Sequence, residues 1–281
     1  MLSLTIVLPT MKLRLALFLP VLLAACGGSG GDKSAIFEVH ANNLAYGSTA
    51  TLLFVGSFVA GQSLTPDTPT CTSGTGVYST PTQYVLKCTV TATGDFPVTV
   101  KTSSGDVIYS KTLSVPAPRV TFSTSKGNIV AELYPDKAPN SVINFLRYVQ
   151  FGFYSQTIFH RVIKDFVVQG GGFKPGLVPQ DGQLAPIPLE SNNGLSNARG
   201  TLAMARTTDP NSATSQFYFN LVDNTFLDYK DASNPGYAVF GKIVSGLDVV
   251  DAIGAVPTTT VQGAGDIPAT DVVLNSVTRD Q

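Results

Sequence analysis

The chain has no tryptophan, two histidines and three cysteines among its 281 residues. With only His40 and His160 available, a histidine-rich metal site is excluded, and the reading calls for no metal and no cofactor. Charge is also sparse: Asp, Glu, Lys and Arg make up 13% of the chain and the net charge is −1. That balance gives no basic surface for nucleic acid and no charged face for an acidic membrane. What is present in quantity is Thr, Ser, Gly and Val, spread over many short apolar runs. Such a composition points to a β-rich secreted protein rather than a helical cytosolic one.

The first residues read as a targeting segment. Met11, Lys12, Leu13 and Arg14 open a short basic region, and the apolar run LALFLPVLLAA follows. That run is too short to cross a bilayer and suits a secretory signal; translation starts at Met1 or at Met11. It ends in Leu23, Ala24, Ala25 and Cys26, which resembles the lipobox of bacterial lipoproteins, where the cysteine is lipidated and becomes the mature N-terminus. The resemblance implies a signal peptide over 1–25 and a Gly-rich tether over 26–34 that lets an anchored domain move. With Gly27 after the cysteine, it also implies a lipid anchor in the bacterial envelope, at the outer membrane and facing the periplasm. Once lipid occupies Cys26, Cys71 and Cys88 remain as a pair in an oxidising compartment. A bond between them closes a loop of about 17 residues and contributes roughly 3 kcal/mol in the chain-entropy view.

Over 35–115, short β-type runs such as TATLLFVGSFV, QYVLKCTVTA and VIYSKTLSV alternate with turn signals, and helical periodicity never exceeds one turn. The pattern predicts a small β-sandwich, immunoglobulin-like in general architecture but without the buried tryptophan of antibody-type domains. No convergent acids, histidines or phosphate loop stand in it, so the expected role is a spacer or a module with a protein partner of its own. Pro116, Ala117 and Pro118 stiffen the connection at 116–118. Beyond it, 119–281 reads as one domain. VTFSTSKGNIVAELY gives two strands turning at 125–128, and PNSVINFLRYV places Val142, Phe145, Leu146 and Val149 on one helical face behind Pro139. Strand-like segments follow at 157–163, 166–169, 201–205, 215–221 and 237–244. A second helix is expected at 247–253, with Ser245 as cap and Gly254 as stop. Many strands with a helix near each end predict a closed barrel with two helices, and a mainly β chain.

Within that domain, FHRVIKDFVVQGGGF sets an arginine and a glutamine into apolar strands, with no Ser–His–Asp set nearby. Parity places Phe159, Arg161 and Ile163 together, then Val167 and Gln169. In TSQFYFN it places Gln216, Tyr218 and Asn220 opposite Phe217 and Phe219. Two amides, an arginine and aromatics thus converge on one outer surface that offers donors and apolar walls but no nucleophile. The QGGG run lacks the Lys-Ser/Thr ending of a phosphate loop, and its glycines are expected to allow tight turns beside the surface.

These segments, together with GNIVAELYPDKAPNSVINFLRYV, RGTLAMAR, FLD and GYAVFGKIVSGLDVVDAI in the same order, closely resemble the cyclophilins, the peptidyl-prolyl cis–trans isomerases. Phe226 and Tyr237 stand where many eukaryotic members carry Trp and His, as in the bacterial periplasmic branch. The resemblance implies an eight-stranded closed barrel capped by two helices, and an enzyme that rotates X–Pro bonds of unfolded or extended envelope proteins without a covalent intermediate. It implies Arg161 as the catalytic donor to the prolyl nitrogen. Phe166, Val167, Tyr218 and Leu227 become the proline pocket, and Gln169 the amide that orients Arg161. Backbone groups of Ala205 and Arg206 would pair with the peptide, Gln216 would contact the residues before proline, and Phe226 and Tyr237 would form the outer rim. Departures from the family are Val167 for Met, Tyr218 for Phe with a hydroxyl expected at the pocket rim, Arg206 for Asn, and Phe226 for Trp. The last of these implies weaker cyclosporin binding. His160, facing away from Arg161, reads as structural.

Overall fold

Alternation of buried and exposed positions is clearest in the segment Thr49–Ser57, where Ala50, Leu52 and Phe54 turn inward, as in a strand with one covered face. The structure is a computed structural model and describes residues 34–58, 64–72, 74, 76–261 and 263–280. The signal segment, Cys26 and nearly all of the tether lie outside the described residues. The strands that follow are Ala35–Asn42 (β1), Thr49–Ser57 (β2), Leu64–Asp67 (β3), Cys71–Thr72 (β4), Gly76–Thr80 (β5), Gln83–Val90 (β6), Gly94–Thr102 (β7) and Val107–Val115 (β8). β1, β2, β6 and β4 form one antiparallel sheet, with β5 also on β6, and β3, β7 and β8 form another. Leu52, Phe54 and Leu86 of the first share one buried cluster with Val98, Val100 and Val115 of the second, which makes the pair a sandwich. Cys71 and Cys88 are bonded. They tie the short β4 to its neighbour β6 inside one sheet, unlike the inter-sheet bridge of antibody domains.

The remaining elements are Arg119–Thr124 (β9), Gly127–Leu133 (β10), Pro139–Gln150 (α1), Thr157–Ile158 (β11), Arg161–Ile163 (β12), Val167–Gly170 (β13), Phe173–Lys174 (β14), Val178–Pro179 (β15), Thr201–Met204 (β16), Phe217–Asn220 (β17), Val239–Ser245 (β18), Leu247–Gly254 (α2), Thr258–Val261 (β19), Ala264–Pro268 (β20) and Val273–Arg279 (β21). The main ladder runs β11-β21-β9-β10-β18-β16-β17-β13-β12. Its two ends are halves of one stretch interrupted only at Phe159 and His160, so the ladder curls back onto the stretch it began on: eight strand-lengths, mainly β. The hairpins β14–β15 and β19–β20 stand apart from it and were not expected from the sequence pattern.

Helix α1 buries Val142, Phe145 and Val149 against the core, with Leu146 packed at the edge. Its N-terminus starts at a proline and has no side-chain cap of its own. The Glu190 carboxylate, far away in sequence, takes the Asn140 and Ser141 N–H groups at 2.9 and 2.8 Å, satisfying two of the orphan donors of a helix start. Helix α2 corrects the expected cap: Ser245 ends β18, and Gly246 holds the cap position at φ 81°. A side chain there would clash, since a Cβ on Gly246 would lie 2.3 Å from the Asn128 carbonyl oxygen. Ser34–Gln281 forms one compact unit. Tyr46, between β1 and β2, is 3% exposed within the barrel's core cluster, and Arg279 donates to its carbonyl at 2.7 Å.

Candidate active site

Register sets two neighbouring rows across four strands of the barrel wall. One row is Arg161, Gln169, Tyr218 and Ala203; the next is Val162, Val168, Phe219 and Leu202. The second row lies in the main core, each member at most 1% exposed. Strand alternation sends the first row to the opposite, outer face. A separate apolar cluster has formed there: Val167, Ala203, Tyr218 and Val239 are its buried floor, and Phe166, Leu195, Ala205, Leu227 and Tyr237 pack on it half-buried. Six of the residues expected to bind substrate (Phe166, Val167, Ala205, Tyr218, Leu227 and Tyr237) therefore meet in one patch.

The polar members stand along its side. Gln169 receives an Arg161 guanidinium N–H at 3.5 Å, a long contact, and donates to the Gln216 side-chain oxygen at 2.9 Å. The arginine, two amides and the apolar patch are thus contiguous. Phe159 does not share the face of Arg161, contrary to the parity expectation. The strand breaks at Phe159 and His160, and the lost period drops Phe159 into the core at 0% exposure. His160 is buried against Phe173, ring centroids 4.7 Å apart. Burial lowers its pKa from 6.5 to about 4, the Arg161 charge adding to the effect against opposing contacts from the Ile158 backbone and the Gln216 side chain. It is therefore a neutral wall of the site near pH 7. Gly171 adopts φ +83°, and a Cβ on Gly172 would lie 2.7 Å from the Gln216 amide nitrogen. The glycines so permit both the turn and the seat of that amide.

Four further positions differ from or add to the expected geometry. The Tyr218 hydroxyl is not at a rim: it points beneath the patch and donates to the Asn197 side-chain oxygen at 2.7 Å. With Tyr218 only 4% exposed, burial first, then the nearby Tyr237 and Asp228, raises the phenol's pKa well above its usual value. The Ala205 N–H donates to the Gln216 carbonyl at 3.0 Å, so only the carbonyl of that residue is left for a peptide. Arg206 folds its guanidinium over Tyr237, 4.4 Å from the ring centre, and donates to the Gly236 carbonyl at 3.0 and 2.8 Å and to the Thr207 carbonyl at 2.8 Å. Phe226 is 63% exposed and stacks on Phe166 with centroids 5.7 Å apart.

What the sequence pattern missed is the polar scaffold below. Asn197 donates to the Leu227 carbonyl at 3.2 Å and to the Asp228 carboxylate at 3.0 Å, and its oxygen accepts from both Tyr218 and Asn220. Asn224 donates to the Phe166 carbonyl and to Asn220 at 2.9 and 2.8 Å. Burial alone would raise the Asp228 pKa, but hydrogen bonds from the Asn197 N–H, Ser196 and the Asn197 amide outweigh it and hold it below the usual value. Phe166, Tyr218 and Leu227 are thereby fixed from beneath. Asn197 lies in a loop without periodicity, so no pattern flags it; Asp228 closes the quoted FLD motif and Asn224 stands two residues before it, and these were the readable part.

The family described as "Cyclophilin type peptidyl-prolyl cis-trans isomerase/CLD" matches residues 119–279. Over 161 residues the chain is 53% identical to peptidyl-prolyl cis-trans isomerase B of Escherichia coli (strain K12), covering 57% of this chain and 98% of that one. It is 52% identical over 159 residues to the isomerase cyp18 of Streptomyces antibioticus, covering 56% of this chain and 95% of that one. A solved cyclophilin-type isomerase of Cryptosporidium parvum aligns over 59% of this chain and 99% of its own, with a TM-score of 0.49 and 24% identity.

Proposed function

Because the chain belongs to the cyclophilin-type peptidyl-prolyl cis–trans isomerases, we propose that its outer-face patch grips proline while Arg161 stabilises the twisted amide. Resonance raises the barrier of an X–Pro bond to about 18–20 kcal/mol. At the top of that barrier the prolyl nitrogen has lost conjugation and holds a localised lone pair. A fixed N–H donor aimed at it is better satisfied there than in either planar state, which is the condition for catalysis. Arginine meets it because it stays protonated and its donors form a rigid fork.

The observation that carries this reading is the row Arg161, Gln169 and Tyr218, with the Gln169 amide held on one side by Gln216 and facing the guanidinium on the other. Phe166, Val167, Tyr218 and Leu227 supply the apolar seat. Phe226 and Tyr237 border it, and Gln216 with the Ala205 carbonyl and the Arg206 backbone holds the chain before proline. Nothing in the scheme breaks or forms a covalent bond. Replacing one donor of this kind costs about 10²–10³ in rate, so Arg161→Ala is expected to lower kcat/KM on an X–Pro peptide by that factor. An unchanged value would overturn the assignment.

The lipobox-like LAAC at Cys26 and the Cys71–Cys88 bond support a place in the bacterial envelope, lipid-anchored and facing the periplasm, where the enzyme assists folding of envelope proteins. Residues 35–115 then act as a spacer or a protein-binding module between the anchor and the 119–281 isomerase domain. Cys26→Ser should move the protein from the membrane to the soluble fraction; retention on the membrane would contradict the anchor.

A further inference from the structure

Among the described residues, Arg206 presents a charge that no ion pair neutralises. Its four donor contacts all end on uncharged backbone carbonyls, those of Gly236, Thr207 and, at 3.5 Å, Thr208. No carboxylate among the described residues forms an ion pair with it or with Arg161. The acids of the same region are engaged elsewhere: Asp228 accepts from Ser196 and Asn197, and Asp209 from the Asn211 N–H. Contacts to Gly236 and Tyr237 also hold the guanidinium in place, so its charge is fixed rather than diffused over a swinging side chain.

Its place relative to the patch follows from the register. The row from Arg161 to Ala203 crosses three strand gaps, about 14 Å in all at ordinary sheet spacing, or roughly four residues of extended chain. Arg206 stands three residues beyond Ala203, next to Ala205, whose N–H is bonded to the Gln216 carbonyl. It therefore borders the same end of the groove as Gln216, the end assigned above to the residues before proline. A peptide bound there runs from one unpaired guanidinium towards another.

We propose that Arg206 is a specificity-determining residue, and that the enzyme prefers X–Pro bonds with an acidic residue immediately before the proline. This rests on the proposed orientation of the peptide in the groove. A glutamate at that position gains attraction where a lysine meets repulsion, while the twist of the amide itself is unaffected. Charges about 8 Å apart in a water-like medium give roughly a fivefold difference between the two, and salt screens it.

The test uses the whole protein and tetrapeptides Ala-Xaa-Pro-Phe with Xaa Glu, Gln or Lys. The ratio of kcat/KM for Glu over Lys should be about five at low salt, should fall towards one in 0.5 M NaCl, and should fall likewise in Arg206→Gln at low salt. Each variant serves as its own reference, so a general loss of activity does not disturb the ratio. A ratio near one in the unaltered protein, or one unchanged by Arg206→Gln, overturns the proposal. A preference that appears only for an acid after the proline overturns it too. Failure to turn over even the Gln peptide would count instead against the groove assignment.

Discussion

The two rows that cross β12, β13, β17 and β16 are one residue apart in sequence and serve opposite ends. Val162, Val168, Phe219 and Leu202 face inward and are almost wholly buried, whereas Arg161, Gln169, Tyr218 and Ala203 face outward and hold a polar line beside an apolar patch. Because side chains alternate along a strand, a slip of one residue would exchange the rows and put an arginine in the core. The inner row thus sets the register on which the outer row's geometry depends. The lesson is that the spacing of the proposed catalytic row is held by packing on the far side of the same strands.

The inner row should fail through stability. Phe219 touches Phe122, Phe159 and Phe217 in the core, with centroids 5.2 to 6.3 Å away. Phe219→Ala is therefore expected to cost about 3–5 kcal/mol, read as a large drop in Tm with activity lost only as the fold is lost. Full stability in that variant would break the comparison. The scaffold under the outer row should show a mixed effect. Asn197→Ala strands the buried Tyr218 hydroxyl, at about 2–3 kcal/mol, and loosens Leu227, while the Asn220 amide keeps its bond to Thr201. It should lower Tm and raise KM more than it lowers kcat; an unchanged KM would remove Asn197 from the account of the pocket.

Taken per pH unit, the smallest effect belongs to His160. His160 takes a proton only near pH 4 in the fold but near 6.5 when unfolded, so between those values the unfolded chain binds the extra proton. The stability this residue confers is complete above about pH 6.5 and is lost as pH falls towards 4, by at most ~1.4 kcal/mol per pH unit. Melting curves of the protein and of His160→Gln should therefore converge on going from pH 7 to pH 4. A constant gap between them would show that His160 is not held neutral.

Much of this was legible in the chain itself. The alternation of TATLLFVGSFV and QYVLKCTVTA displays the sandwich, and the spacing of Val142, Phe145 and Val149 displays α1. In TSQFYFN the separation of Tyr218 from Phe217 and Phe219 is simple parity. The failures have physical causes. Parity could not carry through Phe159 and His160, because the strand is broken there and the period is lost. The Tyr218 hydroxyl was expected at the rim, since only the three-dimensional path of the 191–200 loop brings Asn197 beneath it. The α1 cap comes from Glu190, across the fold, where local sequence rules do not reach. Ser245 looked like a cap by residue type, yet the close approach of the Asn128 backbone leaves room only for Gly246.

The division between the rows turns on Arg161 acting on the twisted amide and not on the bound ground state. The most direct test is to titrate a proline peptide into the protein and into Arg161→Ala by NMR, measuring Kd and the cis–trans exchange rate in the same samples. The account predicts a Kd within about threefold of the unaltered protein and exchange slowed by about 10²–10³. A loss of binding in proportion to the loss of rate would make Arg161 a ground-state anchor and contradict it.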